Sequence, residues 1–217
     1  MTKDSNRRKL DRRSFLRNVS VFAVAVPVFE LGTMGMLGCN QARLLSSAAS
    51  GEQPNVSWKA TIVAEGEQGE PLVVSGTIYA PDGRTPLEGI SLYVYQTDAT
   101  GRYSTTGGDN RNTRIHGVMR TNRDGHYEFR TIKPAPYPAS KIAAHIHAYV
   151  SGVDYPEYWI DEYHFADDPF VTTDMREQVV GAGSFSSILT LTRGADGVLR
   201  GVRDIKVERC SRNCTGR

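Results

Sequence analysis

The sequence predicts an all-β fold, an antiparallel Greek-key β-sandwich. Two observations carry that prediction. Short apolar runs with period-two alternation recur from Trp58 to the C-terminal region, separated by turn formers such as Pro81-Asp82-Gly83, Asp124-Gly125 and Ala195-Asp196-Gly197. No stretch beyond residue 57 sustains a helical period, so nothing alternates with the strands to build a parallel sheet. Strands are predicted over 59–64, 72–80, 90–96, 115–121, 126–131, 141–150, 186–192 and 198–207. Ile90, Leu92 and Val94 show the pattern: they fall on one face of their strand, with Ser91, Tyr93 and Tyr95 on the other.

The chain divides into three parts. Residues 1–38 read as a targeting segment: a charged start with Arg12-Arg13-Ser14-Phe15-Leu16, an apolar run from about Val19 to Phe29, and then Met36-Leu37-Gly38-Cys39. That run is shorter than the roughly 20 residues a spanning helix needs. The arginine pair and its flank resemble a twin-arginine export signal. Met36 to Cys39 resembles a lipobox, with Met36 where leucine is usual, and this implies Cys39 as the lipidated residue. Residues 39–57, rich in Ser, Ala, Gly and Gln, read as a flexible tether. Residues 58–217 are the folded domain, long enough for one self-sufficient core.

Charge follows the same division. Residues 1–38 carry seven of the 26 Lys/Arg and three of the 24 Asp/Glu, so the remainder is slightly acidic. The basic balance belongs to the targeting segment, and no basic patch argues for nucleic acid. Export to a periplasmic or cell-surface location, with membrane contact only through a lipid on Cys39, is the expectation. Cys210 and Cys214 then form a candidate disulfide of an oxidising compartment. Oligomeric state is not legible.

The stretch from Tyr137 to His147 concentrates chemistry, with a phenol and two imidazoles in eleven residues. On a strand, His145 and His147 point the same way while Ile146 points into the opposite layer, which suits one metal ion. Two irregular stretches remain. One is 97–114, with Gly101, Gly107 and Gly108. The other is 154–173, dense in aromatics, which either walls a pocket for a flat ring or packs over an edge of the sandwich.

Five pieces, in order, resemble the intradiol ring-cleavage dioxygenases of the catechol 1,2- and protocatechuate 3,4- types. They are Pro86-Leu87-Glu88-Gly89, the run from Val94 through Thr97-Asp98-Ala99-Thr100-Gly101-Arg102 to Tyr103, the run from Thr121 to Phe129, the run from Ile132 to Pro138, and Ala144-His145-Ile146-His147. The resemblance implies a ferric ion, Fe(III), held by Tyr103, Tyr137, His145 and His147. It implies an aromatic diol and O2 as substrates, with the diol displacing Tyr137, and ring opening between the hydroxyls to a muconate-type diacid. It also implies a substrate pocket that includes Ile142, Glu162, Tyr163 and His164, with Tyr137 and Glu162 in catalytic roles.

Two positions depart from the family pattern. Ile142 stands where an arginine is common, and Glu162 stands where a glutamine is common. Lys141, by strand alternation, points to the other face, so Arg111, Arg114 or Arg120 would have to supply a cation. Two alternatives stand beside the dioxygenase: an iron-binding homologue without turnover, and a non-catalytic transthyretin-like sandwich module. Such modules share the Pro-Leu-x-Gly and Asp-Gly-x-Tyr-x-Phe turns, which therefore discriminate nothing. Tyr103, Tyr137 and the histidine pair do discriminate.

Overall fold

A computed structural model describes residues 56–104 and 110–208, all within the unit of the chain that runs from residue 52 to 217. Residues 1–38, expected to be a targeting segment, Cys39 and the candidate Cys210–Cys214 pair lie outside the described residues.

Among the described residues, eleven strands and one short α-helix follow in order: β1 Lys59–Thr61, β2 Pro71–Tyr79, β3 Ser91–Gln96, β4 His116–Arg120, β5 His126–Ile132, β6 His145–Gly152, β7 Tyr155–Phe165, α1 Thr173–Gln178, β8 Ile188–Leu189, β9 Thr192–Arg193, β10 Leu199–Val202 and β11 Ile205–Lys206. They form two sheets. One runs β1-β5-β2-β10-β9, with β11 also on β2, and the other runs β4-β3-β6-β7-β8. The long ladders β2–β5, β3–β4, β3–β6 and β6–β7 are antiparallel, as the sandwich prediction requires. Parallel pairing is confined to short strands: β1 on β5, β10 and β11 on β2, and β8 on β7.

Alternation builds the core. Leu72, Val74 and Ile78 of β2, Tyr127 and Phe129 of β5, Leu92 and Val94 of β3, and Ile146, Ala148 and Val150 of β6 are all buried. A fully buried Leu, Ile, Val or Phe contributes about 1.5–3 kcal/mol, so these facing rows hold the sheets together. Gln96, at the end of β3, is a buried polar link between the sheets. Its amide donates to the Ile132 carbonyl at 2.9 Å and its oxygen accepts from the Thr131 hydroxyl at 2.9 Å. Satisfied in this way, it ties β3 to β5 without an unpaired group.

Three expectations need correction. Much of 154–173 is not irregular, because β7 occupies Tyr155–Phe165 and pairs with β6 along its length. Its period-two signal is broken by Pro156, by acidic residues and by a bulge. Ile146 pairs with Tyr163 and Ala148 with Ile160, so β7 carries one residue more than β6 between those pairs. Second, the strand predicted over 141–150 begins only at His145, and residues 141–144 are irregular. Third, the run 186–192 is not one strand but ends in two short ones, β8 and β9.

Candidate metal centre

β6 supplies the two nitrogens. Its alternation buries Ile146 in the core and turns His145 and His147, each 8% exposed, to the opposite face, where their Nε2 atoms lie 3.2 Å apart. His145 Nδ1 lies 2.7 Å from the Ala143 carbonyl, which can only accept, so Nδ1 carries the proton and Nε2 presents a lone pair. Burial lowers the pKa of His145, which keeps it neutral. Asp168 fixes the approach to this strand. One carboxylate oxygen accepts from the Ala144 N–H at 2.9 Å and the other from the Phe170 N–H at 2.8 Å.

Behind His147 stands Glu162, with Oε1 3.6 Å from Nδ1. That separation is longer than a hydrogen bond, and Nδ1 is buried without a hydrogen-bond partner. His147 holds the Glu162 carboxyl down at about 2, against the opposing effect of burial. The β7 bulge explains the aim. Trp159 and Glu162 both face the site, while Ile160 and Tyr163 turn to the core, an arrangement a regular strand forbids.

Loops supply the two oxygens. Tyr103 follows β3 across a turn in which the Asp98 carboxylate accepts from the N–H groups of Thr100 and Arg102 at 2.8 and 3.1 Å. Tyr137 sits between Pro136 and Pro138, just before Ala139 at φ 59°. The two loops are joined. The Ala135 N–H donates to the Asp98 carbonyl, and the Thr97 hydroxyl donates to the Ala135 carbonyl, each at 3.1 Å. Gly101, at φ 75°, packs so closely that a Cβ there would lie 1.9 Å from the Pro136 oxygen.

The four side chains converge. The Tyr103 and Tyr137 hydroxyls are 2.8 Å apart, and the Tyr137 hydroxyl lies 3.1 Å from His145 Nε2 and 3.4 Å from His147 Nε2. Bonds of about 2.0–2.1 Å to one metal ion place its ligand atoms about 2.9–3.4 Å apart, which matches these separations. The His145 Nε2 lone pair, 3.2 Å from His147 Nε2, accepts either a proton from that imidazole or, with it, a shared cation. Among the described residues, no three His, Cys, Asp or Glu side chains gather on one point. The phenols therefore make the set, and two phenolate oxygens with two neutral imidazoles suit a hard, highly charged ion. Burial, first of all, raises the Tyr103 pKa, with the Tyr137 hydrogen bond adding to it.

Aromatic rings wall the nitrogens. Tyr95 stacks on His147 at 4.6 Å, and Trp159 meets it edge-on at 4.9 Å. His164 lies half-buried on the site face, 5.9 Å from His145. Tyr163 does not line a pocket. It is fully buried, with its ring against Phe129 and its hydroxyl donating to Tyr127, because the bulge reverses the face it occupies. Ile142 is 52% exposed on the segment before β6. Since residues 141–144 are not a strand, alternation gives no direction for Lys141. Arg111 and Arg114 are engaged by Glu157 and Glu67. Sequence reasoning missed Asp168 and Tyr95, whereas Trp159 belongs to the aromatic stretch expected either to wall a pocket or to pack over an edge. Of the two missed residues, only Asp168 had a local signal, the Asp-Pro turn it opens with Pro169.

With this geometry in hand, comparison with known proteins is informative. The Dioxygenase family model matches residues 51–196, more than half of the chain, and the chain belongs to that family. A 6-chlorohydroxyquinol 1,2-dioxygenase of Cupriavidus pinatubonensis is 37% identical over 76 residues, covering 35% of this chain and 27% of that protein. A hydroxyquinol 1,2-dioxygenase of Rhizobium sp. is 24% identical over 180 residues, covering 75% and 60%. The chain thus spans less than two thirds of the length of these relatives, 27% of one and 60% of the other. Among solved structures, the dioxygenase domain of a dioxygenase carbohydrate-binding protein fusion from Streptomyces sp. SirexAA-E aligns with TM-score 0.54 at 24% identity, covering 73% of this chain and 92% of that one. The catechol 1,2-dioxygenase of Pseudomonas arvilla C-1 aligns with TM-score 0.58 at 16% identity, covering 74% and 60%. At these identities the structural likeness is one of fold.

Proposed function

We propose that the chain is a non-haem Fe(III) intradiol dioxygenase that opens a catecholic ring between its two hydroxyls, combining the diol with O2 to give a muconate-type diacid. The observation that carries this reading is the convergence of the Tyr103 and Tyr137 hydroxyls on the Nε2 atoms of His145 and His147. Bound there, Fe(III) supplies a Lewis acid that activates the diol for attack by dioxygen.

The chain's own groups divide the remaining work. His145 is locked in its Nδ1–H tautomer by the Ala143 carbonyl, so its ligand atom needs no rearrangement. Tyr137 stands half-buried on a loop and would be the phenol that yields to the diol and takes one of its protons, the role the family resemblance implies. Tyr103, pressed against Tyr137 and facing His147 at 6.4 Å between rings, stays as the fixed oxygen. Tyr95 and Trp159 keep water from the back of His147. Glu162, the carboxylate behind His147, helps to orient that imidazole.

The test is oxygen uptake by the purified, iron-loaded chain on addition of catechol, hydroxyquinol and protocatechuate, with product analysis. Consumption of one O2 per diol with a ring-opened diacid supports the reading. An iron protein that binds diols but consumes no oxygen would instead mark the homologue without turnover, the reading favoured by Ile142 and Glu162. We also propose export through the twin-arginine segment and anchoring through Cys39. Cys39→Ala should move the chain from the membrane to the soluble fraction, and no shift would reject the anchor.

A further inference from the structure

Resting on the reading that His147 holds a metal, we propose that Arg203 is a positioning residue that grips the β7 bulge and through it sets Glu162 against His147. Arg203 lies in the two-residue link between β10 and β11, in the sheet opposite the histidines. Its backbone is fixed on both sides: the N–H donates to the Ser75 carbonyl at 2.9 Å, and the carbonyl accepts from the Tyr127 hydroxyl at 2.7 Å. Gly76 makes the approach possible, since a Cβ there would lie 1.7 Å from the Arg203 oxygen. The next residue, Asp204, accepts the Thr77 N–H at 2.9 Å and fastens the link to β2.

From this anchor the side chain reaches β7. Arg203 is 4% exposed, and among the described residues no carboxylate lies within ion-pair distance of it. Burying a guanidinium without such a partner is costly, so what it touches matters. Its Nη1 donates to the Asp161 carbonyl at 2.8 Å, and its plane lies 4.4 Å over the Tyr163 ring. Asp161 and Tyr163 are the two neighbours of Glu162, and the bulge lies here. One cation thus holds both flanks of the residue that faces His147. If the bulge slipped by one position, Glu162 would turn into the core and Tyr163 onto the site.

The experiment titrates Fe(III) into the wild-type chain, Arg203→Met, Arg203→Lys, Glu162→Ala, the Arg203→Met/Glu162→Ala pair and Tyr163→Phe. Folding is followed by circular dichroism, and the His147 tautomer in the iron-free proteins by its imidazole nitrogen shifts. Second-sphere partners of metal-bound histidines change affinity about 10–100-fold, and that loss is expected for Arg203→Met with the sandwich intact. Adding Arg203→Met to Glu162→Ala should cost less than about twofold more, because both act through one contact. Tyr163→Phe, which keeps the ring under Arg203, should stay within about twofold of wild type.

Unchanged iron affinity and unchanged His147 shifts in Arg203→Met would overturn the proposal, as would losses that multiply fully in the double variant. If Arg203→Met does not fold, Arg203→Lys decides. It keeps the charge but lacks the planar fork, so a weaker iron site supports the clamp and wild-type behaviour overturns it. If the wild-type chain takes up no iron, the functional reading has failed by itself. The iron-free shifts then judge the clamp alone: a changed His147 tautomer in Arg203→Met or Arg203→Lys supports it, and no change overturns it.

Discussion

The two halves of the site are built differently. The nitrogens of His145 and His147 stand on β6, the central strand of its sheet, paired on both sides with β3 and β7. The oxygens of Tyr103 and Tyr137 stand on irregular segments outside any strand, held by loop-to-loop hydrogen bonds and the Gly101 contact. A ladder fixes its side chains through many backbone bonds, whereas a loop fixes them through a few. Under the proposed function this difference fits the roles given to each half: rigid nitrogens that locate the ion, and a loop that lets Tyr137 be exchanged while Tyr103 stays.

The largest effect tests the rigid half. His147→Ala should lower Fe(III) affinity by more than about 100-fold, beyond the range for second-sphere changes, while far-ultraviolet circular dichroism stays that of the sandwich. Stoichiometric iron in this variant would break the assignment. Asp168→Ala should come next. It leaves the Ala144 and Phe170 N–H groups without their acceptor, at about 1–3 kcal/mol each, read as a lower denaturation midpoint.

Gly101→Ala attacks the loop half. A side chain at φ 75° against the Pro136 oxygen costs about 1–3 kcal/mol of strain locally. The variant should keep the histidine pair but weaken the visible tyrosinate band of the iron form. Equal loss of both halves would show that they are one cooperative unit. The smallest effect lies outside both. The Thr85 hydroxyl, with the Thr85 and Arg84 N–H groups, holds the Asp82 carboxyl down at about 2. A carboxyl with a lowered folded pKa stabilises above its ordinary value near 3.8 and stops doing so as pH falls through about 2. Asp82→Asn should therefore lower the melting temperature slightly at pH 7, leave iron uptake unchanged, and converge with wild type near pH 2.

Much of this contrast was legible in the sequence, and unevenly. The sandwich and most strand positions followed from alternation, as did the shared face of His145 and His147, because period two is a local property. Tyr137 stood out by its nearness to the histidine pair, but Tyr103 and its partnership with Tyr137 emerged only through the family resemblance, since nothing local brings two loops 34 residues apart to a 2.8 Å contact. β7 escaped because a bulge resets its phase between Ile160 and Tyr163, and that same reset sent Tyr163 to the core. Asp168 and Arg203 escaped because their partners, Ala144 and Asp161, are backbone groups distant in sequence, and side-chain pattern carries no trace of them.

In the proposed function, two strand-held imidazoles and two loop-held phenols together bind one ferric ion. The most direct measurement is an Fe(III) titration of the wild-type chain followed by its visible absorption, repeated on Tyr103→Phe and Tyr137→Phe. The account predicts a tyrosinate-to-iron band that saturates at about one ion per chain, diminished in each variant and shifted when a catechol is added to wild type. A colourless complex, or a band that both variants leave unchanged, would contradict it.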